Sequence, residues 1–337
     1  MTNVKWFTIY FLGENKLDNT FAMPIMIMGF AALALAALLG PVVIPVLHRL
    51  KFGQEIREIG PSWHKKKRGT PTMGGFIFII PVAAVVLSFV RTKEVTVMLI
   101  FSLLFAAIGF ADDFIKVILK RNLGLTEKQK SLLQILVAVL MVYTVLKTGV
   151  TDTEVIVPFA KKTVDFGWFY IPFMLFVSVG TVNSVNLTDG VDGLAASVTT
   201  VVCAFFGLAA AKLGKPDVAA FCYVNAFSCI GFLLFNKYPA KVFMGDTGSL
   251  YLGGMVCMAS VVLKMPIILI AAGGVYVLET LSVIIQVTSF KLTGKRVFKM
   301  SPIHHHFEMC GWSERKIVFA AIAVTVALGV VSYMMCF

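Results

Sequence analysis

The chain has 337 residues, of which 58% are hydrophobic and only 14% charged, with a mean hydropathy of +0.87. A water-soluble domain is nearer half apolar and a quarter charged, which excludes that class. The formal net charge of +12 does not point to nucleic acid, because in a membrane chain the placement of basic residues between apolar runs is the better guide.

The apolar runs are continuous rather than alternating, so the fold class is an all-α polytopic membrane protein and not a β-barrel. Ten spans are predicted, at about 22–47, 74–90, 96–111, 130–149, 168–186, 193–211, 218–235, 247–263, 266–290 and 315–336, in one integral-membrane domain covering 1–337. If the first span runs from outside to inside, the segments 48–68, 112–130, 236–246 and 291–316 fall inside. They carry two-thirds of the 30 lysines and arginines. The positive-inside rule then puts both termini outside and the site at the cytoplasmic face. The six cysteines form no CxxC pair and five lie in apolar runs, as expected of small core residues.

In chain order, the first polar segment is HRLKFGQEIREIGPSWHKKKRGTPTM, residues 48–73. It reads either as an anchor for anionic headgroups or as a phosphate grip made by Lys65–Arg68 and the Gly-rich GTPTMGG turn, where Thr70 sits. The third span ends in FADDFIKVILKR. Asp112, Lys116 and Lys120 share a helix face, and Asp113 points about 100° away. Adjacent carboxylates at a membrane interface suggest a cation or a proton-transfer role over a simple salt bridge. Thr126 is a candidate N-cap for the next helix, which brings Lys128 and Lys130 back to headgroup level. Residues 150–167 carry no chemical signal.

The fifth span ends in VNSVNLTDGVDG. Asn183, Asn186 and Asp189 are spaced by three and share one helix face. Gly190 and Gly193 open the backbone, and Asp192 follows at once. Further on, NKYPAKVFMGDTGSL places Asn236 upstream of Phe243 and sets Asp246 at the start of a span. Asp246 reads as a helix N-cap or, more sharply, as a Mg²⁺ ligand, since Mg²⁺ is held by one or two carboxylates plus substrate phosphates. The ninth span contains Glu279 near its middle and Gln286 near its inner end. A mid-membrane glutamate is a functional candidate, here without an evident partner. The last loop contains SPIHHHFE. Three adjacent histidines rarely ligate one ion, and no further zinc ligands are suitably spaced, so phosphate contact or loop structure is the expectation.

Taken together, GTPTMGG, FADDFIK, NxxNLTDGVDGLA, KVFMGDTGSL and SPIHHHFE resemble the bacterial phospho-N-acetylmuramoyl-pentapeptide transferases, within the polyprenyl-phosphate N-acetylhexosamine-1-phosphate transferase superfamily. The resemblance runs from about residue 20 to 337 with the motifs in order. It implies transfer of phospho-N-acetylmuramoyl-pentapeptide from UDP to undecaprenyl phosphate, giving lipid I and UMP, with Mg²⁺, in the bacterial inner membrane and usually as a homodimer. It implies Asp246 as the Mg²⁺ ligand, with Asp112 and Asp113 beside the lipid phosphate in acid/base or metal-supporting roles. Gly190, Asp192, Asn236 and Phe243 would line the uridine pocket. Lys65, Thr70, Asn186, Asp189, Gln286, His305 and His306 would contact the rest of the nucleotide-sugar, and Lys116 and Lys130 the phosphates. Two alternatives stand beside it: a sibling transferase using UDP-N-acetylglucosamine, and a cation- or proton-coupled transporter with an ion path through Glu279.

Overall fold

The computed structural model describes residues 19–50, 69–119, 124–160 and 162–337. The elements in chain order are α1 (Asn19–Arg49), α2 (Phe76–Phe89), α3 (Lys93–Ile118), α4 (Glu127–Lys147), β1 (Glu154–Val157), β2 (Lys162–Asp165), α5 (Tyr170–Thr188), α6 (Leu194–Lys212), α7 (Pro216–Asn236), α8 (Gly245–Val262), α9 (Pro266–Ala272), α10 (Gly274–Thr293), α11 (Ile303–Met309) and α12 (Glu314–Cys336). The protein is an all-α polytopic membrane protein. Eight of the helices, α1, α3, α4, α5, α6, α7, α10 and α12, are long and apolar enough to cross a bilayer.

The expected spans at 74–90 and 247–263 are the 14-residue α2 and the 18-residue α8. Neither reaches the length and hydropathy of the other eight. The reason is position. In α8 every residue except Asp246 is buried, so it is solvated by protein rather than lipid and tolerates Gly, Ser and Thr. The expected span 266–290 is two helices, broken at Gly273 between α9 and α10. Residues 150–167 hold an antiparallel hairpin, with Glu154 opposite Asp165 and Val157 opposite Lys162. Lys264 ties it to the end of α8 through Asp152 (2.6 Å) and Glu154 (2.8 Å).

The core centres on α8, which packs most extensively against α3 and also against α5. Glycines set this packing, two of them beside the aspartates. At Gly109 on α3 a Cβ would collide with the backbone carbonyl of Asp246, so the two helices approach backbone to backbone only because the side chain is missing. Gly245 opens α8 with φ +71°, and its missing Cβ leaves room for the Asp113 carboxylate. The expected start of α4 is present as a capping box: Thr126 accepts from the Gln129 amide, and the Gln129 side chain accepts from the Thr126 amide.

Gly109→Ala is expected to force α3 and α8 apart and to cost about 1–3 kcal/mol of stability, as overpacking a tight interior does. Thermal unfolding in detergent checks this, and an unfolding temperature equal to that of the unmodified protein would refute it.

Candidate active site

Three aspartates converge where α3 ends and α8 begins. One carboxylate oxygen from each of Asp112, Asp113 and Asp246 lies within 4.8 Å of the others. Asp112 and Asp113 are 3% and 1% exposed. Carboxylates this deep are tolerated only when each oxygen has a partner, and the partners assign different work to the three.

Asp113 turns into the protein and meets the first turn of α8. Its Oδ1 accepts the Asp246 amide (3.1 Å), and its Oδ2 accepts the Thr247 amide (2.9 Å) and hydroxyl (2.7 Å). The helix cap expected of Asp246 is therefore supplied by Asp113 from a neighbouring helix, where a negative charge also meets the positive end of the helix dipole. Through these contacts Asp113 anchors the turn that carries Asp246.

The Asp246 side chain is thus turned away from its own helix end. Its Oδ1 accepts from Asn186 Nδ2 (2.8 Å), and its Oδ2 accepts from Lys116 Nζ (2.9 Å) and Lys130 Nζ (3.0 Å). Asp112 accepts the Leu125 amide at Oδ1 (2.8 Å) and pairs with Lys116 at Oδ2 (2.5 Å). Two lysines thus face three aspartates, and the fully ionised cluster keeps a net negative charge. Asn186 also donates to Ser249 on α8 (2.8 Å). One turn earlier on α5, Asn183 makes a reciprocal amide pair with Gln134 of α4 (2.7 and 3.3 Å). The two asparagines do share a face, and α4, α5 and α8 are locked in register around Asp246.

The turn after α5 continues the site. Asp189 ends the helix half-buried. Gly190 lies against the ring of His304. The Asp192 carboxylate accepts the Ala240 amide (2.9 Å), and its own amide donates to Glu314 (3.2 Å). The first bond ties the turn to the segment 237–244 that leads into α8, and the second ties it to the start of α12. Asn236, the last residue of α7, donates to the Val242 carbonyl of that segment (2.9 Å), while its buried Oδ1 has no partner among the described residues. Phe243 is half-buried, and its backbone pairs with the turn at 71–74: its amide donates to Pro71 and its carbonyl accepts from Gly74, each at 2.8 Å.

A family model described as glycosyl transferase family 4 matches residues 95–264, and signature 1 of phospho-N-acetylmuramoyl-pentapeptide-transferase matches residues 67–79. Curated relatives called phospho-N-acetylmuramoyl-pentapeptide-transferase align over nearly the whole chain. One from Clostridium botulinum (strain Alaska E43 / Type E3) is 48% identical, covering 94% of this chain and 97% of its own. One from Clostridium perfringens (strain ATCC 13124) is 48% identical, covering 95% and 98%. One from Thermoanaerobacter sp. (strain X514) is 51% identical, covering 89% and 95%. The chain belongs to the phospho-N-acetylmuramoyl-pentapeptide transferase family.

Several of the remaining expected contact residues are engaged with neighbouring segments. Lys65 lies outside the described residues. Thr70 is half-buried beside the 71–74 turn. That turn was expected to offer backbone amides to phosphate, but the Gly74 and Gly75 amides donate to Phe243 and Met244 (2.8 and 3.0 Å). They are spent on holding the turn against the start of α8. Gln286 spends its amide on the loop after α10, accepting from Val297 (3.0 Å) and Phe298 (2.9 Å) and donating to the Phe298 carbonyl (2.9 Å). The three histidines of α11 have three different partners. His304 meets Glu279, His305 meets Glu308 (2.6 Å), and His306 accepts the Lys299 amide (3.1 Å). This division fits a loop-building role better than shared ligation of one ion. Glu279, the starting point for an ion path, is bonded to His304 instead.

Asp113→Ala should cost about 1–2 kcal/mol through the lost cap, read as a lower unfolding temperature in detergent, whereas Asp246→Asn should change that temperature less. The reverse order would remove the assignment of Asp113 as the anchor.

Proposed function

We propose that this protein transfers phospho-N-acetylmuramoyl-pentapeptide from its UDP carrier to undecaprenyl phosphate, yielding lipid I and UMP, at the cytoplasmic face of the bacterial inner membrane. Near full-length similarity to curated relatives of that name supports this reading. The observation that carries it is the Asp246 carboxylate, which accepts from the side chains of Asn186, Lys116 and Lys130 on three other helices and lies beside Asp112. Such partners can swing to an incoming phosphate without unfolding any backbone.

Both substrates are anionic at the reacting centre, so the barrier contains charge repulsion and positioning. In the direct path an oxygen of the lipid phosphate forms a bond to the β-phosphorus of the nucleotide. The bond from that phosphorus to the bridging oxygen breaks, and UMP leaves with the electron pair. Lys116 and Lys130 are the cations that offset the charge building on phosphate oxygens. Asp112, paired with Lys116, would assist the attacking lipid phosphate. Asn236 has a bare buried acceptor and Phe243 a half-buried ring, which suit a base edge and a base face.

The acidic cluster fits Mg²⁺. Asp246 and Oδ2 of Asp112 are bonded to side chains only, whereas both oxygens of Asp113 are committed to backbone. One or two carboxylates completed by substrate phosphates is what Mg²⁺ takes. Asp246, with Asp112 beside it, would hold the ion, which supplies charge neutralisation on the transferring phosphoryl group. The homodimer, the ten-span topology and outside termini belong to this proposal as well. They rest on the resemblance and on the placement of basic residues.

Purified protein with UDP-N-acetylmuramoyl-pentapeptide, undecaprenyl phosphate and Mg²⁺ is expected to release UMP, and chelation is expected to stop it. Asp246→Asn should lower turnover by at least about a hundredfold, the scale of losing a key electrostatic group. UMP release that persists with undecaprenyl phosphate omitted, or in chelator, would refute this form of the reaction.

A further inference from the structure

Glu279 has no part in the chemistry above, yet it is 3% exposed in the second turn of α10. Its helix presents Leu278, Leu281, Ile284 and Ile285 outward. The opposite face carries polar contacts: Tyr276 to Thr199 of α6 (2.7 Å), Thr280 to Ser184 of α5 (2.7 Å), and Gln286 to the backbone at 297–298. Each of these is a neutral bond between packed elements. Glu279 alone places a carboxylate there, and a buried carboxylate is a costly way to obtain packing that a leucine would give more cheaply.

Its Oε2 accepts from His304 Nδ1 (2.9 Å) and faces the His304 backbone amide (3.4 Å). The amide belongs to the first turn of α11, whose N-cap position is Pro302, with no side-chain cap. One carboxylate therefore serves both as an acceptor for that helix end and as the partner of the ring. A carboxylate opposite Nδ1 keeps the proton on that nitrogen and turns Nε2 to the far side. There Nε2 has no partner among the described residues and lies where a Cβ of Gly190 would be. The ring is itself buried and is stacked edge-on against His305 (4.2 Å between centroids). So the chain of contact runs Glu279, His304, Gly190, from the second turn of α10 to the turn Asp189–Asp192.

We propose that Glu279 is a positioning residue for nucleotide-sugar recognition: it clamps His304 onto Gly190 and so seats the histidine helix α11 against the Asp189–Asp192 turn. This rests on the reading that the turn and the histidines contact the nucleotide-sugar. The clamp acts on binding, not on the phosphoryl transfer, because neither His304 nor Glu279 is among the partners of the aspartate cluster.

The test is steady-state kinetics of the full-length protein in detergent, varying the nucleotide-sugar. Glu279→Leu is expected to raise its KM about tenfold or more while kcat stays within about threefold, the pattern of lost uniform binding. Glu279→Gln keeps an acceptor oxygen for both N–H groups, and its KM is expected to stay within about threefold of that of the unmodified protein. Gly190→Ala pushes the ring from the other side, outside the membrane helix. It should raise KM in the same way, and the double variant Glu279→Leu/Gly190→Ala should be no worse than the worse single one. If Glu279→Leu does not fold, Gly190→Ala and Glu279→Gln still decide. An unchanged KM in Gly190→Ala, a Glu279→Gln variant as impaired as Glu279→Leu, a fall in kcat alone, or multiplying effects in the double variant would overturn the clamp. Unmodified protein that turns over no nucleotide-sugar would instead remove the functional reading, and this inference with it.

Discussion

A buried carboxylate in a membrane protein must be answered by donors on the spot, because there is no water to do it. Asp113 is where that demand organises the structure. Its two oxygens need three donors, and the start of α8 supplies them as two amides and a hydroxyl. The same helix end needs acceptors for its unpaired amides. Each side satisfies the other, and the bond pins α3 to α8 at the one place where Gly109 also lets their backbones meet.

From that junction the reactive geometry follows. With its helix end capped by Asp113, Asp246 has both oxygens available to side chains from α3, α4 and α5. The lysines that hold it are also the groups a phosphate would attract. A cluster that is fully bonded without substrate, but bonded through flexible ammonium and amide groups, is preorganised without being closed. The Asn183–Gln134 pair keeps the register of α4 and α5, so that Lys130 and Asn186 arrive at one carboxylate together. Further out, Asp192, Gln286 and the histidines are mostly occupied in tying loops to one another. They shape the approach to the cluster.

Burial also explains which parts of the fold were legible. The eight long apolar helices face lipid on part of their surface, so their residues must be apolar, and hydropathy finds them. Helix α8 is enclosed by protein on every side and carries Gly, Ser and Thr, so its hydropathy is weaker, whereas α2 is strongly apolar but only 14 residues long. The hairpin at 154–165 depends on a distant neighbour, Lys264, which holds Asp152 and Glu154.

By itself the sequence determined the membrane class and the one-sided clustering of polar motifs, and it singled out Asp112, Asp113, Lys116, Lys130, Asn186 and Asp246 among other polar residues. Charged groups are rare and costly in such a chain, so each one is a signal. Only the tertiary structure decided how the work is divided. Asp112 and Asp113 are neighbours in the chain, yet the helical twist sends one towards Lys116 and the other under α8. The Gly74 and Gly75 amides look open in a Gly-rich turn, but the strand of chain at 243–244 takes them. Glu279 had no partner visible in sequence because His304 lies 25 residues away on a different element. Spacing along a helix predicts which side chains share a face; what that face meets is set by packing between distant segments, which the order of residues does not express.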